Sequence, residues 1–457
     1  MSDPATYVGQ SAAAIGRAIA ACELDPVAFT ECLLDRIAAQ TSPVFLAVTR
    51  DRALKEAAAA ADRAESDCLR SPLDGVPIAW KDLVDMQGER TTAGSDLFRD
   101  AGPVTQDAPV VQRMKAAGMV SLGKTNLTEF AYSGIGLNPH FGTPLNPRST
   151  DAPRSPGGSS SGSGVAVATG LAPIAIGTDT GGSVRVPAAF NGVTGYKSSE
   201  GRIDTKGVFA LSRTLDTVGP LALSVEDCVL ADAALRGAVG AQLIRGLPAD
   251  MAVFVPETIV LDDLEPEVAA NFEASLDRLA GAGVRITRGP LTEFAEAASL
   301  AAEIGTITAA DAYLEHAARV DGPDRALMDA RVVARIEHGR NMTARDLLRL
   351  QRARQAAMTS LASRLDGMLL AMPTTPHVAP QTAPLEADEA LFHAVNLKTL
   401  RNTAIGNFLN LPGVAMPNGT GAAGMPTSFL LAAPGGEDDR LLQAALCLDA
   451  LIRGDIA

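Results

Sequence analysis

Residues 156–183, PGGSSSGSGVAVATGLAPIAIGTDTGGS, are the stretch of sequence that decides the fold. They hold eight glycines and five serines, but only one charged residue, Asp179. A flexible glycine/serine linker would be polar throughout. This stretch is instead interrupted by apolar runs at residues 165–168 and 174–176, which favour burial. It therefore predicts glycine-rich turns held inside a packed core.

The end of this stretch, Thr180-Gly181-Gly182-Ser183, has the composition of an anion-binding loop. Glycine permits positive φ and close approach of other backbone segments. Successive backbone N–H groups ahead of a helix form a nest for negative charge. A serine oxygen beside such amides is the arrangement that acyl transfer requires.

Outward from this stretch, short apolar runs alternate with amphipathic segments, a pattern typical of an α/β sheet covered by helices on both faces. Helices are predicted to start at Asp25-Pro26 and to span residues 51–67, 107–117 and 346–365. The predicted strands lie at residues 76–80, running into Lys81, and at residues 119–122, 174–176, 251–255, 284–286, 368–372, 413–416 and 428–431. We expect one large domain over residues 1–457, with residues 1–70 as a helical lead-in and residues 70–230 as its core.

Composition excludes several classes of protein. The 457 residues include 39 basic and 53 acidic side chains, a net charge of −14, which disfavours a nucleic-acid partner. The five cysteines form no C-x-x-C pair, so neither a disulfide framework nor a zinc site is predicted. We see no secretory signal, and the longest apolar stretch, residues 165–177, is too short to cross a bilayer. The expectation is a cytoplasmic protein without metal, cofactor or membrane partner.

Three shorter motifs lack the context that would give them a function. Residues 158–162 fit G-x-S-x-G, but a nucleophile elbow follows a strand, and here a loop-like segment precedes it. Residues 121–124 fit S-x-x-K without the S-D-N or K-T-G partner motifs. Residues 162–164 begin a dinucleotide fingerprint that has Val167 in its third glycine position.

Several motifs in the right order resemble those of the amidase signature family. Residues 157–197 resemble the defining stretch of that family, and GVPIAWKD at residues 75–82 resembles its lysine motif. GKTNLTEF at residues 123–130 and TVGP at residues 217–220 are also similar. The resemblance is strong over residues 70–230 and looser elsewhere.

The resemblance implies a Ser–cis-Ser–Lys triad. Ser183 is then the nucleophile, Ser159 the bridging serine after a cis bond with Gly158, and Lys81 the base. The backbone amides of Thr180, Gly181, Gly182 and Ser183 are then the oxyanion hole. A lysine acts as a base only when neutral, so the pKa of Lys81 must fall below its usual ~10.4, and burial beside Trp80 would lower it.

The sequence predicts supporting roles for residues around the triad. Asp179 and Arg185 are expected to form a structural ion pair that braces the loop. Ser160, Ser161 and Ser163 are expected to cap helices. Phe130 and Tyr132 are expected in the core, although either could line the pocket, and His140 is expected to anchor a loop. Candidate ranges for substrate selection are residues 132–140, 304–313 and 396–410.

The function that the resemblance implies is hydrolysis of a small carboxamide to a carboxylate and ammonia or an amine, through a seryl acyl-enzyme. The alternative is the amidase-like subunit of a tRNA-dependent amidotransferase, working within a complex. A non-catalytic binding protein is disfavoured because all three triad positions carry the expected residues. Family members often form homodimers, and the sequence does not choose among amides.

Overall fold

The computed structural model of the protein describes residues 2–238, 240, 241 and 243–454. Within them, eleven strands form one mixed sheet in the order β1-β3-β2-β4-β6-β5-β10-β11-β9-β7-β8. The strands are β1 Phe45–Val48, β2 Pro77–Lys81, β3 Val120–Thr125, β4 Ile174–Asp179, β5 Thr194–Lys197, β6 Thr217–Ala222, β7 Ala252–Pro256, β8 Arg285–Gly289, β9 Leu369–Pro373, β10 Gly413–Thr420 and β11 Pro426–Ala432.

Helices flank this sheet. They are α1 Ala12–Ala20, α2 Pro26–Ala38, α3 Arg50–Glu65, α4 Pro109–Ala116, α5 Ser161–Ala168, α6 Arg185–Asn191, α7 Val225–Arg236, α8 Pro266–Gly281, α9 Thr292–Ile304, α10 Ile307–Val320, α11 Ala330–Glu337, α12 Ala344–Leu365, α13 Thr382–Ala387, α14 Glu389–Phe408 and α15 Asp438–Arg453.

Both faces of the sheet are covered. Every residue of β2, β3, β4, β5, β6, β7, β9 and β11 is buried. Successive side chains on a strand point to opposite faces, so continuous burial requires packing on each side. The α/β class with a helix-covered mixed sheet is therefore confirmed.

The predicted strands and helices agree closely with the structure where local signals were strong. Asp25 caps α2 by accepting a hydrogen bond from the Val27 amide at 2.9 Å, and Pro26 occupies the first helical position. All eight predicted strands exist, with ends shifted by a few residues. The segment 1–70, predicted to be helical, also contributes β1, which pairs antiparallel with β3.

Two strands in the middle of the sheet, β5 and β6, are not predicted by the sequence pattern. β6 contains Gly219 and Pro220, residues that normally argue against a central strand. A side chain at Gly219 would place its Cβ 2.1 Å from the carbonyl oxygen of Tyr196. Glycine is therefore required for the close approach of β6 to β5, a contact that no local pattern reveals.

Candidate active site

Lys81 is the last residue of β2 and is completely buried. Its Nζ donates hydrogen bonds to Ser159 Oγ at 2.6 Å and to Thr178 Oγ1 at 2.8 Å. β2 and β4 are parallel neighbours, so their carboxyl ends meet at one edge of the sheet and bring Lys81 close to Thr178. The ammonium has hydroxyl partners here and no carboxylate at hydrogen-bond distance in the described part of the chain.

Burial lowers the pKa of Lys81 to about 7, while the more distant carboxylates of Asp216 and Asp179 oppose that change in part. A substantial neutral fraction at neutral pH follows from that value. Trp80, the preceding residue of β2, is buried as well. Its indole donates to Ser121 Oγ at 3.2 Å.

Ser159 lies in the turn that precedes α5 and is completely buried. The Gly158–Ser159 peptide bond is cis, as the resemblance implied. The Ser159 carbonyl accepts a hydrogen bond from the Thr128 amide at 3.1 Å, and the Gly158 amide donates to the Gly134 carbonyl at 3.0 Å. These backbone bonds hold the Ser159 hydroxyl against Lys81.

Ser183 lies in the loop between β4 and α6 and lines a cavity. Ser160 holds the backbone of Ser183 in place, because its Oγ donates a hydrogen bond to the Ser183 carbonyl at 2.5 Å. Within the described residues the Ser183 hydroxyl makes no hydrogen bond, so it is not joined to Ser159 in this arrangement. The structure thus brings Lys81 and Ser159 into direct contact and leaves Ser183 facing the cavity.

The glycine loop before Ser183 is shaped by Gly182, which has a φ of +138°. A Cβ at this position would lie 2.3 Å from Thr403 Oγ1. The Gly182 amide donates to Asp179 Oδ1 at 2.8 Å, so it is already occupied, contrary to its predicted place in the oxyanion hole. Across the described ranges, the amides of Thr180, Gly181 and Ser183 have no protein acceptor.

Asp179 and Arg185 are brought together behind the loop. Arg185 Nη2 lies 2.9 Å from Asp179 Oδ1, and Arg185 Nε lies 3.0 Å from Oδ2, in a fully buried bidentate pair. Asn407 contacts both side chains, at 2.9 Å from Asp179 Oδ1 and 2.5 Å from Arg185 Nη2. Although burial alone would raise the pKa of Asp179, the Arg185 guanidinium outweighs it and holds that pKa well below its usual range.

The prediction that Ser160, Ser161 and Ser163 cap a helix is wrong. No side-chain hydrogen bond caps the start of α5. Ser160 instead binds the Ser183 carbonyl, and Ser163 Oγ donates to the Ile176 carbonyl at 3.1 Å. Ser160 therefore ties the start of α5 to the loop and Ser163 ties α5 to β4, since buried hydroxyl groups need hydrogen-bond partners.

Two further residues of the site, Thr178 and Asp216, have no role predicted from the sequence. Thr178 Oγ1 is the second acceptor for Lys81, and its position in GTDTGGS was the available signal. Asp216 accepts hydrogen bonds from Thr180 Oγ1 at 2.5 Å and from the Leu211 amide at 2.9 Å. Burial raises the pKa of Asp216 to about 6. Nothing in its local sequence marks Asp216 as part of the site.

The cavity in front of Ser183 has a volume of about 340 Å³ and is mostly apolar. Each of the three ranges predicted to select substrate contributes to its wall. The contributions are Tyr132 and Ser133, then Gly305, Thr306, Ile307 and Thr308, then Leu397, Leu400, Arg401, Ala404, Ile405, Asn407 and Phe408. Phe130 lies in a hydrophobic core cluster, as expected, whereas Tyr132 also faces the cavity. His140 lies 3.3 Å from Asp96 and 3.2 Å from Glu129 in its loop.

Neither a metal cluster nor a membrane-spanning helix is present in the described residues. They contain no group of three or more His, Cys, Asp or Glu side chains arranged to hold a metal ion. Among the same residues, no helix is both long and apolar enough to span a bilayer.

This chain is similar to known proteins over most of its length. The family model described as Amidase matches residues 28–442. The chain is 37% identical over 395 residues to 2-amino-5-chloromuconic acid deaminase of Comamonas testosteroni, covering 83% of this chain and 82% of that protein. It is 34% identical over 451 residues to a glutamyl-tRNA(Gln) amidotransferase subunit of Cupriavidus necator, covering 88% of each.

A solved structure described as an amidase superposes with a TM-score of 0.85 at 28% identity, covering 97% of this chain and 100% of that one. The match extends over nearly the whole sheet and its helices, well beyond the motifs around Lys81 and Ser183. Family match, relatives and fold agree, so this chain belongs to the amidase signature family and is an enzyme that acts on amide C–N bonds.

Proposed function

We propose that the protein hydrolyses the C–N bond of a small carboxamide through an acyl-enzyme on Ser183, with Ser159 and Lys81 completing a Ser–cis-Ser–Lys triad. The observation that carries this proposal is the 2.6 Å contact between Lys81 Nζ and Ser159 Oγ, both fully buried, beside a serine that faces a cavity. A serine hydroxyl is a weak nucleophile until a base accepts its proton. Lys81, whose pKa falls to about 7, has the neutral form that this requires.

In the first half-reaction, Ser183 Oγ attacks the amide carbonyl carbon. Its proton passes to Ser159 Oγ as the Ser159 proton passes to Lys81 Nζ. Contacts of this kind shorten when substrate is bound, so the free Ser183 hydroxyl of the unliganded enzyme is compatible with the relay. The three unoccupied amides of Thr180, Gly181 and Ser183 stabilise the oxyanion of the tetrahedral intermediate.

Collapse of that intermediate breaks the C–N bond. Lys81 returns its proton through Ser159 to the departing nitrogen, which leaves as ammonia or an amine and gives the acyl-enzyme. A water molecule then attacks the ester carbonyl, with its proton taken up along the same path. The carboxylate leaves, and Ser183 regains its hydroxyl proton. The buried Asp179–Arg185 pair braces the loop that carries Ser183 and these amides.

A neutral fluorophosphonate probe tests the nucleophile directly. We expect the probe to label the wild-type protein on Ser183 and to abolish amide hydrolysis in proportion to labelling. Ser183→Ala should remove both, whereas Ser161→Ala, which changes a buried serine with no hydrogen-bond partner in the described chain, should keep both. Labelling at another serine, or hydrolysis by fully labelled protein, would refute the proposal.

The second candidate function is that of a component of a tRNA-dependent amidotransferase, favoured by the 34% identity to the Cupriavidus necator protein over 88% of both chains. Such a component would depend on partner chains for its physiological reaction. Turnover of small amides by the isolated protein, unchanged by adding tRNA and partner chains, would favour the hydrolase. A strong activation by those additions would favour the amidotransferase.

A further inference from the structure

Asp216 joins two segments of chain that line the catalytic cavity. Its Oδ1 accepts a hydrogen bond from Thr180 Oγ1 at 2.5 Å. Its Oδ2 accepts from the amides of Leu211 at 2.9 Å and Ser212 at 3.1 Å. Thr180 and Leu211 both line the cavity. The half-buried side chain of Asp216 therefore ties the loop that carries Ser183 to a second part of the cavity wall.

The pairing of β4 with β6 brings Thr180 and Asp216 together. These strands are antiparallel, and Asp179 at the end of β4 lies opposite Thr217 at the start of β6. In an antiparallel pair, the residue after one partner lies beside the residue before the other, so Thr180 and Asp216 meet just beyond the strand ends. Thr217 Oγ1 also donates to the Asp179 carbonyl at 2.9 Å. The contact thus follows from the sheet, although 36 positions separate the two residues in the chain.

Thr180 depends on Asp216 for its place in the loop. Within the described ranges, its hydroxyl makes the only hydrogen bond of that residue. Gly181, which follows, has open space where a side chain would lie, so the loop lacks packing on that side. A threonine side chain is stiff at χ1, so fixing its hydroxyl also restrains its backbone. The contact with Asp216 therefore orients the unoccupied Thr180 amide, one of the three in the proposed oxyanion hole.

A carboxylate suits this position because it accepts hydrogen bonds on both oxygens and donates none. We propose that Asp216 is a positioning residue of amide hydrolysis, which holds the Thr180 hydroxyl so that the Thr180 amide points at the oxyanion of the tetrahedral intermediate. This inference rests on the proposed hydrolase function. Donors that are already in place stabilise the oxyanion without reorganisation as its charge develops. Asp216 acts on the reaction through Thr180 and does not contact the reacting atoms.

The charge of Asp216 also affects Lys81 and sets the conditions of the test. Together with Asp179, it opposes the lowering of the Lys81 pKa by burial. Replacing Asp216 by a neutral residue therefore lowers that pKa further and moves the acid limb of the activity profile to lower pH. Rates are compared at about pH 8.5, where Lys81, with its pKa of about 7, is neutral in wild type and variants alike. At that pH a change in kcat reports on the oxyanion hole and not on the base.

Asp216→Ala removes the anchor of Thr180. We expect kcat for a neutral amide to fall about 50-fold while KM stays within about threefold of wild type, because the oxyanion forms only after substrate has bound. Thr180→Val removes the same hydrogen bond from the other end, keeps the shape of the side chain and should give the same result. Thr180→Ser keeps the hydroxyl, so its kcat should stay within about fivefold of wild type. Steady-state kinetics measures kcat and KM for each variant.

The double variant tests whether Asp216 acts through Thr180. If it does, Asp216→Ala combined with Thr180→Val should lose about 50-fold in kcat, no more than either change alone. Independent effects would multiply to about 2500-fold, and that result would overturn the inference. Unchanged kcat in folded Asp216→Ala or in Thr180→Val would overturn it as well. A melting curve shows which variants fold, and Thr180→Val gives the answer if Asp216→Ala does not.

Asp311→Ala is the matched control, since it removes a carboxylate that binds the same segment as Asp216. Asp311 Oδ2 accepts from Ser212 Oγ at 2.6 Å and from the Thr214 amide at 3.1 Å, and in the described chain it has no hydrogen bond to Thr180. The variant should keep kcat and KM within about threefold of wild type. A loss of kcat equal to that of Asp216→Ala would overturn the inference, because the segment and not the contact with Thr180 would then control the rate.

Failure of this inference and failure of the proposed function give different results. Wild-type protein that is labelled by the fluorophosphonate on Ser183 and hydrolyses amides, together with folded Asp216 and Thr180 variants of normal kcat, would overturn only the role of Asp216. Absence of labelling at Ser183 in wild type is the separate result that would refute the hydrolase function itself.

Discussion

Two buried lysines near the carboxyl ends of neighbouring strands have different partners for their ammonium groups. Lys81 ends β2, and Lys124 lies in β3, which runs parallel beside it. Both side chains are completely shielded from solvent. Lys124 Nζ lies 2.8 Å from a carboxylate oxygen of Asp82. Among the residues that the structure describes, Lys81 Nζ forms hydrogen bonds only with the hydroxyls of Ser159 and Thr178.

This difference shows what turns a buried lysine into a base. The ammonium of Lys124 has a carboxylate at contact distance, so its burial forms a buried ion pair. Lys81 has no carboxylate at contact distance in the described part of the chain, so desolvation prevails and lowers its pKa to about 7. The same residue type thus serves as a structural ion-pair partner on one strand and as the candidate base on the next.

The largest expected effect comes from Lys81→Met. Removing the base should lower kcat/KM for amide hydrolysis by about 10⁴-fold, because Ser159 then has no group to take its proton. The thermal midpoint should stay close to that of wild type, since methionine fills a similar volume without a buried charge. Steady-state kinetics and a melting curve measure the two quantities.

Lys197→Met is the control for that variant. Lys197 is equally buried, and burial together with the Arg185 charge lowers its pKa to about 8. Its Nζ donates to the carbonyls of Ser198 and Leu411 and, within the described ranges, to no serine hydroxyl. The folded variant should hydrolyse amides normally. A comparable loss of activity in both variants would mean that the contact with Ser159 is not what distinguishes Lys81.

Lys124→Met should act on stability and not on the chemistry. It leaves the buried Asp82 carboxylate without its cation, a change that costs about 3–5 kcal/mol of unfolding free energy. Denaturant titration measures that cost, and fluorophosphonate labelling of the folded fraction should proceed at the wild-type rate. Adding Asp82→Asn should restore part of the stability. Full stability in the single variant would show that the Lys124 environment resembles that of Lys81.

The smallest effect is expected from a change of pH, which tests the environment of Lys81 in the wild-type protein. Only neutral Lys81 can accept a proton, so activity is lost as pH falls through its pKa of about 7. With a neutral amide, kcat/KM should fall about tenfold per pH unit below that value and level off above it. A flat profile between pH 5 and 8 would contradict the assignment of Lys81 as the base.

Much of the fold was predictable from the sequence because its signals are local. The eight predicted strands rest on apolar runs, and the Asp25-Pro26 start of α2 rests on capping chemistry. β6 was not predicted because Gly219 and Pro220 interrupt its pattern. The pairing of β5 with β6 depends on contacts between distant segments. The capping role of Ser160 failed for the same reason, since its partner is the Ser183 carbonyl on another segment.

By itself, the sequence determined the family, the α/β class and the identities of Ser183, Ser159 and Lys81 as candidates, because each belongs to a motif of contiguous residues. The tertiary structure alone decided the chemistry of those groups. It set the pKa of Lys81 through burial and assigned the Gly182 amide to Asp179. It also brought Asn407, about 220 positions from Ser183 in the chain, against the Asp179–Arg185 pair. Desolvation and encounters between distant residues exist only once the chain has folded.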